Sequence, residues 1–271
     1  MKLAFDEEGG GPLVVLLHGF PEDRRAWRHQ IPVLARAGFR VVAPDLRGYR
    51  DSPKPRDIDS YRLPEIVGDV AELIESLGGP CILVGHDWGA TVAWFLAMTR
   101  PDLVQRLAIL NIPHPAAITR ELKRSSSQRM RMTYALFFQL PLLPELVMRL
   151  FGKFIMRRLG PFTREELDDY ARAWRGSMRP MLNYYRALRR TRGQLRNLIR
   201  PIDVPVLFIW GEREQFVVPQ ALEGWEEWVR DLRIERIAHA RHFVQHDAPE
   251  RVNQLLITFL SPVTSSVPSR A

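Results

Sequence analysis

The sequence predicts an α/β fold: a mostly parallel central sheet, helices on both of its faces, and a helical insertion. Three observations predict it. Continuous apolar runs of four or five residues recur along the chain, as strands buried on both faces require. Segments with the apolar spacing of helices separate them, so strand and helix alternate. Between Asn111 and Val206 the alternation stops, and an arginine-rich stretch punctuated by Pro141, Pro144, Pro161 and Pro180 takes its place.

The first apolar run, residues 13–17, ends in His18-Gly19-Phe20-Pro21. Pro32 stands near the start of a short helix that Gly38 ends. Residues 39–43 form the next strand, followed by a loop from Pro44 to Ser52. Residues 61–77 have helical spacing, with Ile66, Val70, Leu73 and Leu77 on one face. The strand at 81–84 runs into Gly85-His86-Asp87-Trp88-Gly89 and then a helix apolar on most sides. A further strand is expected at 107–110. After the insertion, strands are expected at 206–210 and 233–237, with Pro219 opening a helix to about residue 229. A loop at 239–246 and a closing helix at 249–260 complete the core. The expected organisation is a core of residues 1–113 and 202–261, a helical lid of 114–201, and a disordered tail at 262–271.

The balance of charge excludes little by itself. The net charge of +8 is carried almost wholly by arginine, since only Lys2, Lys54, Lys123 and Lys153 are lysines. No nucleic-acid-binding motif accompanies the arginines, so a solvated basic surface is expected and no nucleic-acid partner. The single cysteine, Cys81, sits in an apolar strand, which gives neither a disulfide framework nor a cysteine metal site. No other metal-ligand spacing occurs, and no metal or cofactor is expected. There is no signal-peptide pattern and no apolar run of membrane-spanning length, so a cytoplasmic location and no membrane partner are expected. A homodimer is left open.

Chemistry gathers at the strand ends, where open parallel sheets place their sites. Gly85-x-Asp87-x-Gly89 is a tight strand-to-helix turn whose glycines keep Cβ atoms out of a crowded backbone and push the central residue into the open. Glu212 and Glu214 follow a later strand, and His242 follows the last one. The chain order is thus acidic nucleophile, acid, histidine. An aspartate is already ionised near neutral pH and needs no base to attack. On an ester it would give an anhydride, but on a saturated carbon it gives a stable ester. The fitting substrates are electrophilic sp3 carbons with a leaving group: epoxides or alkyl halides. His242 would then activate water against the ester, held in its tautomer by a carboxylate. The N–H groups of Phe20 and Trp88 stand where an oxyanion hole is needed, and His18 is expected to support that loop.

These motifs, with Asp45-Leu46-Arg47-Gly48-Tyr49 and His242-Phe243-Val244-Gln245, resemble the α/β-hydrolase-fold epoxide hydrolases over residues 10–260 or so. The resemblance implies the α/β-hydrolase fold with a cap, no cofactor, and a small hydrophobic epoxide as substrate. It also implies two lid tyrosines that hold the epoxide oxygen. Tyr134, in a stretch ending Phe137-Phe138-Gln139, matches one, and Tyr185, in Asn183-Tyr184-Tyr185-Arg186, matches the other. Opening an epoxide makes an alkoxide, which leaves poorly unless a donor neutralises it, and a phenol meets that need. Phe137 and Phe138 are expected to line the pocket.

Two positions depart from the family pattern. Glu214 stands where the family has aspartate as the triad acid, with Glu212 as the alternative or in a supporting part. Arg50 stands where the family usually has glycine. A haloalkane or haloacid dehalogenase is the main alternative activity, disfavoured because Phe20 offers no side-chain donor to halide and no arginine follows Asp87. A non-catalytic binding protein is disfavoured by the presence of both Asp87 and His242.

Overall fold

The computed structural model describes residues 1–261; the expected tail at 262–271 and the side chain of Arg192 lie outside the described residues. Seven strands form one sheet: β1 (Phe5–Glu8), β2 (Leu13–Leu17), β3 (Arg40–Pro44), β4 (Cys81–His86), β5 (Val104–Leu110), β6 (Val206–Gly211) and β7 (Leu232–Ile237). Their order is β1-β3-β2-β4-β5-β6-β7, with β1 antiparallel to β3 and every other pair parallel.

Alternate residues of each inner strand face opposite sides, and both sides are buried. Val15, Leu17, Leu83, Leu107, Ile109 and Phe208 face one core, and Val14, Leu16, Val84, Ala108, Leu110 and Ile209 the other. The first core is closed by α2 (Leu63–Ser76) and α3 (Trp88–Thr99), the second by α1 (Ile31–Arg36) and the C-terminal helix at Pro249–Leu260. Helix α3 is buried on nearly every side, which explains why its sequence is apolar all round.

Between β5 and β6 the chain is helical: α4 (Pro115–Arg124), α5 (Ser126–Arg131), α6 (Thr133–Phe137), α7 (Leu143–Leu159), α8 (Arg164–Trp174) and α9 (Met178–Leu195). A capping box of Thr163 and Glu166 starts α8. This layer is tied to the sheet edge by buried hydrogen bonds. Tyr170 Oη donates to Glu22 Oε1 at 3.0 Å, Trp174 Nε1 to the Pro21 carbonyl at 2.7 Å, and Tyr184 Oη to the Arg47 carbonyl at 2.7 Å.

Three local expectations need correction. Residues 5–8 form a strand that the sequence hides, because a short edge strand rich in acidic residues carries no apolar run. The helix expected from Pro219 to about 229 is a single 3-10 turn, Pro219–Leu222. Gly224, at φ +65°, breaks any continuation, and Trp225 buries its ring instead. The loop expected at 239–246 stops at Phe243, where α10 (Val244–Asp247) begins ahead of α11 (Pro249–Leu260). Arg50, where glycine was expected, has φ +31°, the region that glycine enters without steric cost.

Candidate active site

The turn after β4 holds Asp87 at φ 51°, ψ −118°, a strained backbone for a residue with a Cβ. Three glycines make room for it. A Cβ on Gly89 would stand 2.1 Å from the Leu17 carbonyl oxygen, and one on Gly85 2.6 Å from that of Gly89. A Cβ on Gly19 would stand 2.3 Å from the Cβ of Asp87 itself. The elbow therefore fits only while β2, its following loop and α3 approach without side chains.

The Phe20 N–H donates to Asp87 Oδ1 at 2.7 Å, while Asp87 Oδ2 lies 3.6 Å from His242 Nε2. Trp88 opens α3, so its N–H has no partner within the helix and is free for the same region. His18 supports this loop. Its Nε2 accepts from the Leu46 N–H at 3.0 Å, which puts the proton on Nδ1, and Nδ1 donates to the Gly19 carbonyl at 3.1 Å.

On the other side of His242, Nδ1 lies 2.8 Å from Glu214 Oε2, and both side chains are buried. The second oxygen of Glu214 accepts from the Phe216 N–H at 2.6 Å. Glu212, expected as the alternative acid or in support, faces solvent and pairs with Arg236 at 3.1 Å. The turn closed by the Glu214 N–H on the Gly211 carbonyl separates the two: it carries Glu214 back over the site and leaves Glu212 outside.

The charges reinforce one another. Burial raises the Asp87 pKa, but the hydrogen bond and charge of His242 outweigh it and bring it below the ordinary aspartate value. Burial lowers that of His242, but Glu214 and Asp87 outweigh it and raise it to about 10. The free site thus holds an imidazolium between two carboxylates.

Tyr134 on α6 and Tyr185 on α9 face Asp87 across a cavity of about 470 Å³, which Trp88, Phe216 and His242 also line. Apolar side chains such as Phe95, Ile118, Leu122 and Ile199 form the rest of its wall. The tyrosine rings meet edge to face, with centroids 5.9 Å apart. Burial, and after it the Asp87 charge, push both phenols above their ordinary pKa, so each keeps its proton. Two polar residues fix the helices that carry them. Gln139 Nε2 donates to the Ala135 and Tyr185 carbonyls, each at 3.0 Å. Arg186 donates to the carbonyls of Phe138 at 3.1 Å and Leu140 at 2.8 Å.

Phe137 and Phe138 do not line this cavity. Phe138 is buried behind it, with its ring centroid 4.9 Å from Tyr185, 5.6 Å from Tyr134 and 5.4 Å from Phe20. Phe137 packs on Phe138. The helix turns Tyr134, Ala135 and Leu136 towards the cavity instead, and Gln139, just past its end, joins them.

Several residues of the site escaped sequence reasoning. Asn111, at φ 62°, donates from Nδ2 to the carbonyls of Arg241 (2.9 Å) and His242 (2.7 Å), while its Oδ1 accepts from the Gly211 N–H at 2.7 Å. It therefore joins the ends of β5 and β6 to the histidine loop. Its only sequence signal is a polar residue ending an apolar strand. His86 donates from Nε2 to the same His242 carbonyl at 2.8 Å, and Gln245 Nε2 meets its Nδ1 at 3.2 Å. Burial holds the His86 pKa down, to about 4, so the ring is neutral. Beneath it the buried Glu22 carboxylate accepts from Tyr170, Gln245 and His246. Among the described residues no cluster of three or more His, Cys, Asp or Glu is placed to hold a metal ion, and no helix is long and apolar enough to cross a membrane.

A strained aspartate elbow, a buried histidine–carboxylate pair and backbone donors at the carboxyl edge of a parallel sheet define a hydrolase of the α/β-hydrolase fold. Known proteins agree. The profile of the alpha/beta hydrolase fold family matches residues 12–249. The AB hydrolase superfamily protein YfhM of Bacillus subtilis is 39% identical over 92% of this chain and 90% of its own length. Epoxide hydrolase 3 of Xenopus tropicalis is 36% identical over 92% of this chain and 71% of its own. The crystal structure of a Bacillus megaterium epoxide hydrolase in complex with an inhibitor superposes with a TM-score of 0.86 at 35% identity, over 95% of this chain and 96% of that one. The chain belongs to the epoxide hydrolase family of the α/β-hydrolase fold.

Proposed function

We propose that the protein hydrolyses a hydrophobic epoxide to a vicinal diol through a covalent ester on Asp87. The observation that carries this is the opposition of two protonated tyrosines to one ionised aspartate across an apolar cavity. Oδ2 attacks an epoxide carbon, the ring C–O bond breaks, and the alkoxide takes a proton from Tyr134 or Tyr185. Phe20 leaves Oδ2 as the attacking oxygen because its N–H already engages Oδ1.

Ester formation removes the Asp87 charge and the extra proton of the His242 imidazolium passes to the tyrosinate, so that in the second stage His242 Nε2 can take a proton from water as that water attacks the ester carbon. The charge collects on Oδ1, where the N–H groups of Phe20 and Trp88 receive it. The bond from the ester carbon to Oδ2 then breaks, His242 gives that proton to the leaving diol, and the acid proton left on Asp87 passes back to His242. Glu214 holds the imidazole by Nδ1 throughout. Residues 114–201 act as the cap, supplying both phenols and closing the site.

The purified protein is tested with styrene oxide and a haloalkane panel, with diol and halide assayed together. Diol formation is expected. Halide release without diol would make the protein a dehalogenase.

A further inference from the structure

We propose that the outer face of the cap docks on a bilayer containing anionic phospholipid. Ten large hydrophobic side chains are exposed among the described residues, and nine of them fall between Met130 and Phe154. Leu142 is 74% exposed, Leu136 67%, Leu150 63% and Phe154 59%. A monomeric surface rarely gathers such side chains in one place unless something covers them.

Helix α7 shows how the patch arises. Pro144, Met148, Gly152 and Met156 form its buried face, and a Cβ on Gly152 would stand 2.6 Å from the Trp174 ring. Leu143, Leu146, Leu150 and Phe154, spaced by three and four residues, form a second apolar stripe on the opposite, exposed face. Arg149, Lys153, Arg157 and Arg158 flank that stripe. An outward stripe of leucine and phenylalanine bordered by basic residues is the pattern of a helix that lies in a membrane interface.

Charge identifies the occupant. Residues 114–201 contain nineteen Arg and Lys against six Asp and Glu, a net of +13, although the whole chain carries +8. The remainder is therefore at −5. A negatively charged lipid surface complements the cap and repels the core, which orients the molecule cap-down. A two-fold contact between caps would instead set one +13 surface against another. The lack of a spanning helix among the described residues bears only on insertion across a bilayer. Leu136 is both exposed in the patch and part of the cavity wall, so a lipophilic molecule dissolved in the leaflet would have a short path inwards.

Docking does not depend on the proposed chemistry, and its test uses no turnover. The full chain is co-sedimented with phosphatidylcholine vesicles, with and without phosphatidylglycerol. Binding is expected only to the phosphatidylglycerol vesicles, with loss at high salt as the charges are screened. The double variant Leu150→Glu with Phe154→Glu changes two exposed side chains outside the cavity. It should bind about tenfold less or weaker still, with unchanged circular dichroism, and Leu142→Asp should act in the same direction. Failure of the parental protein to bind either vesicle, or full binding by these variants, overturns the proposal. So does a dimer in sedimentation equilibrium that the double variant dissociates, since a second copy would then cover the patch.

Discussion

The Phe20 N–H, 2.7 Å from Asp87 Oδ1, sorts the two oxygens of one carboxylate. Oδ1 is engaged by the donor that later has to hold an oxyanion. Oδ2 is left facing the cavity, 3.6 Å from the histidine. The close approach requires glycine at position 19, where any Cβ would collide with Asp87.

This division makes an isotopic prediction. In a single turnover with excess enzyme in H2(18)O, the diol should carry Oδ2 away and remain unlabelled. The Asp87 peptide should gain one heavy oxygen, read by mass spectrometry after digestion. Heavy oxygen appearing directly in the first diol would mean that water, and not Asp87, attacks the epoxide.

The acid of the triad is separable from its neighbour by the same kind of measurement. Glu214→Gln leaves His242 Nδ1 with a neutral partner and weakens the base. Ester hydrolysis should slow on the order of a hundredfold, and an alkyl-enzyme adduct should accumulate in the intact mass. Glu212 is a solvent-facing partner of Arg236. Glu212→Gln should leave turnover within about a factor of two. An adduct that accumulates in the Glu212 variant alone would exchange the two assignments.

Much of this site could be read locally. Asp87, His242 and the loop at residues 18–21 each follow a strand, and Asp87 and the loop carry their supporting glycines, Gly85, Gly89 and Gly19, beside them in sequence. What could not be read depends on distant packing or on the phase of a helix. Glu22 draws its partners from Tyr170 and from Gln245 and His246, more than a hundred residues away. Asn111 reveals its role only when β5, β6 and the His242 loop converge. The Phe137-Phe138 pair looks like pocket lining until the turn of α6 places Tyr134 and Leu136 on the cavity and Phe138 behind. Helical periodicity identifies the apolar positions of α7, but it cannot say that one of its two stripes is left uncovered.

The two tyrosines should share the proton-donor task. Tyr134→Phe and Tyr185→Phe each remove one hydroxyl while keeping the edge-to-face ring packing. Each should slow alkylation, followed by stopped-flow tryptophan fluorescence since Trp88 borders the site, on the order of tenfold to a hundredfold. The double variant should lose nearly all ring opening. If it alkylates at the parental rate, the alkoxide finds its proton elsewhere and the cap tyrosines only pack.

The pH dependence follows from His242. Burial disfavours its charge, but Glu214 and Asp87 prevail and raise its pKa to about 10. A histidine whose folded pKa exceeds its unfolded value, about 6.5, contributes stability that is complete below that lower value. The contribution is lost as pH rises through the folded pKa. The Tm should therefore fall between about pH 7 and pH 10 as the imidazolium between the two carboxylates is titrated. Asp87→Asn removes one of the two anions, so its His242 should titrate at lower pH, and the fall in its Tm should be smaller and end at lower pH. Ester formation neutralises Asp87 in the same way, which would release His242 as a base at the stage that needs one. An NMR titration of the His242 ring in the parental protein and in Asp87→Asn measures the shift directly. Identical titration curves would mean that Asp87 does not hold the histidine charged, and the link between alkylation and base release would fail.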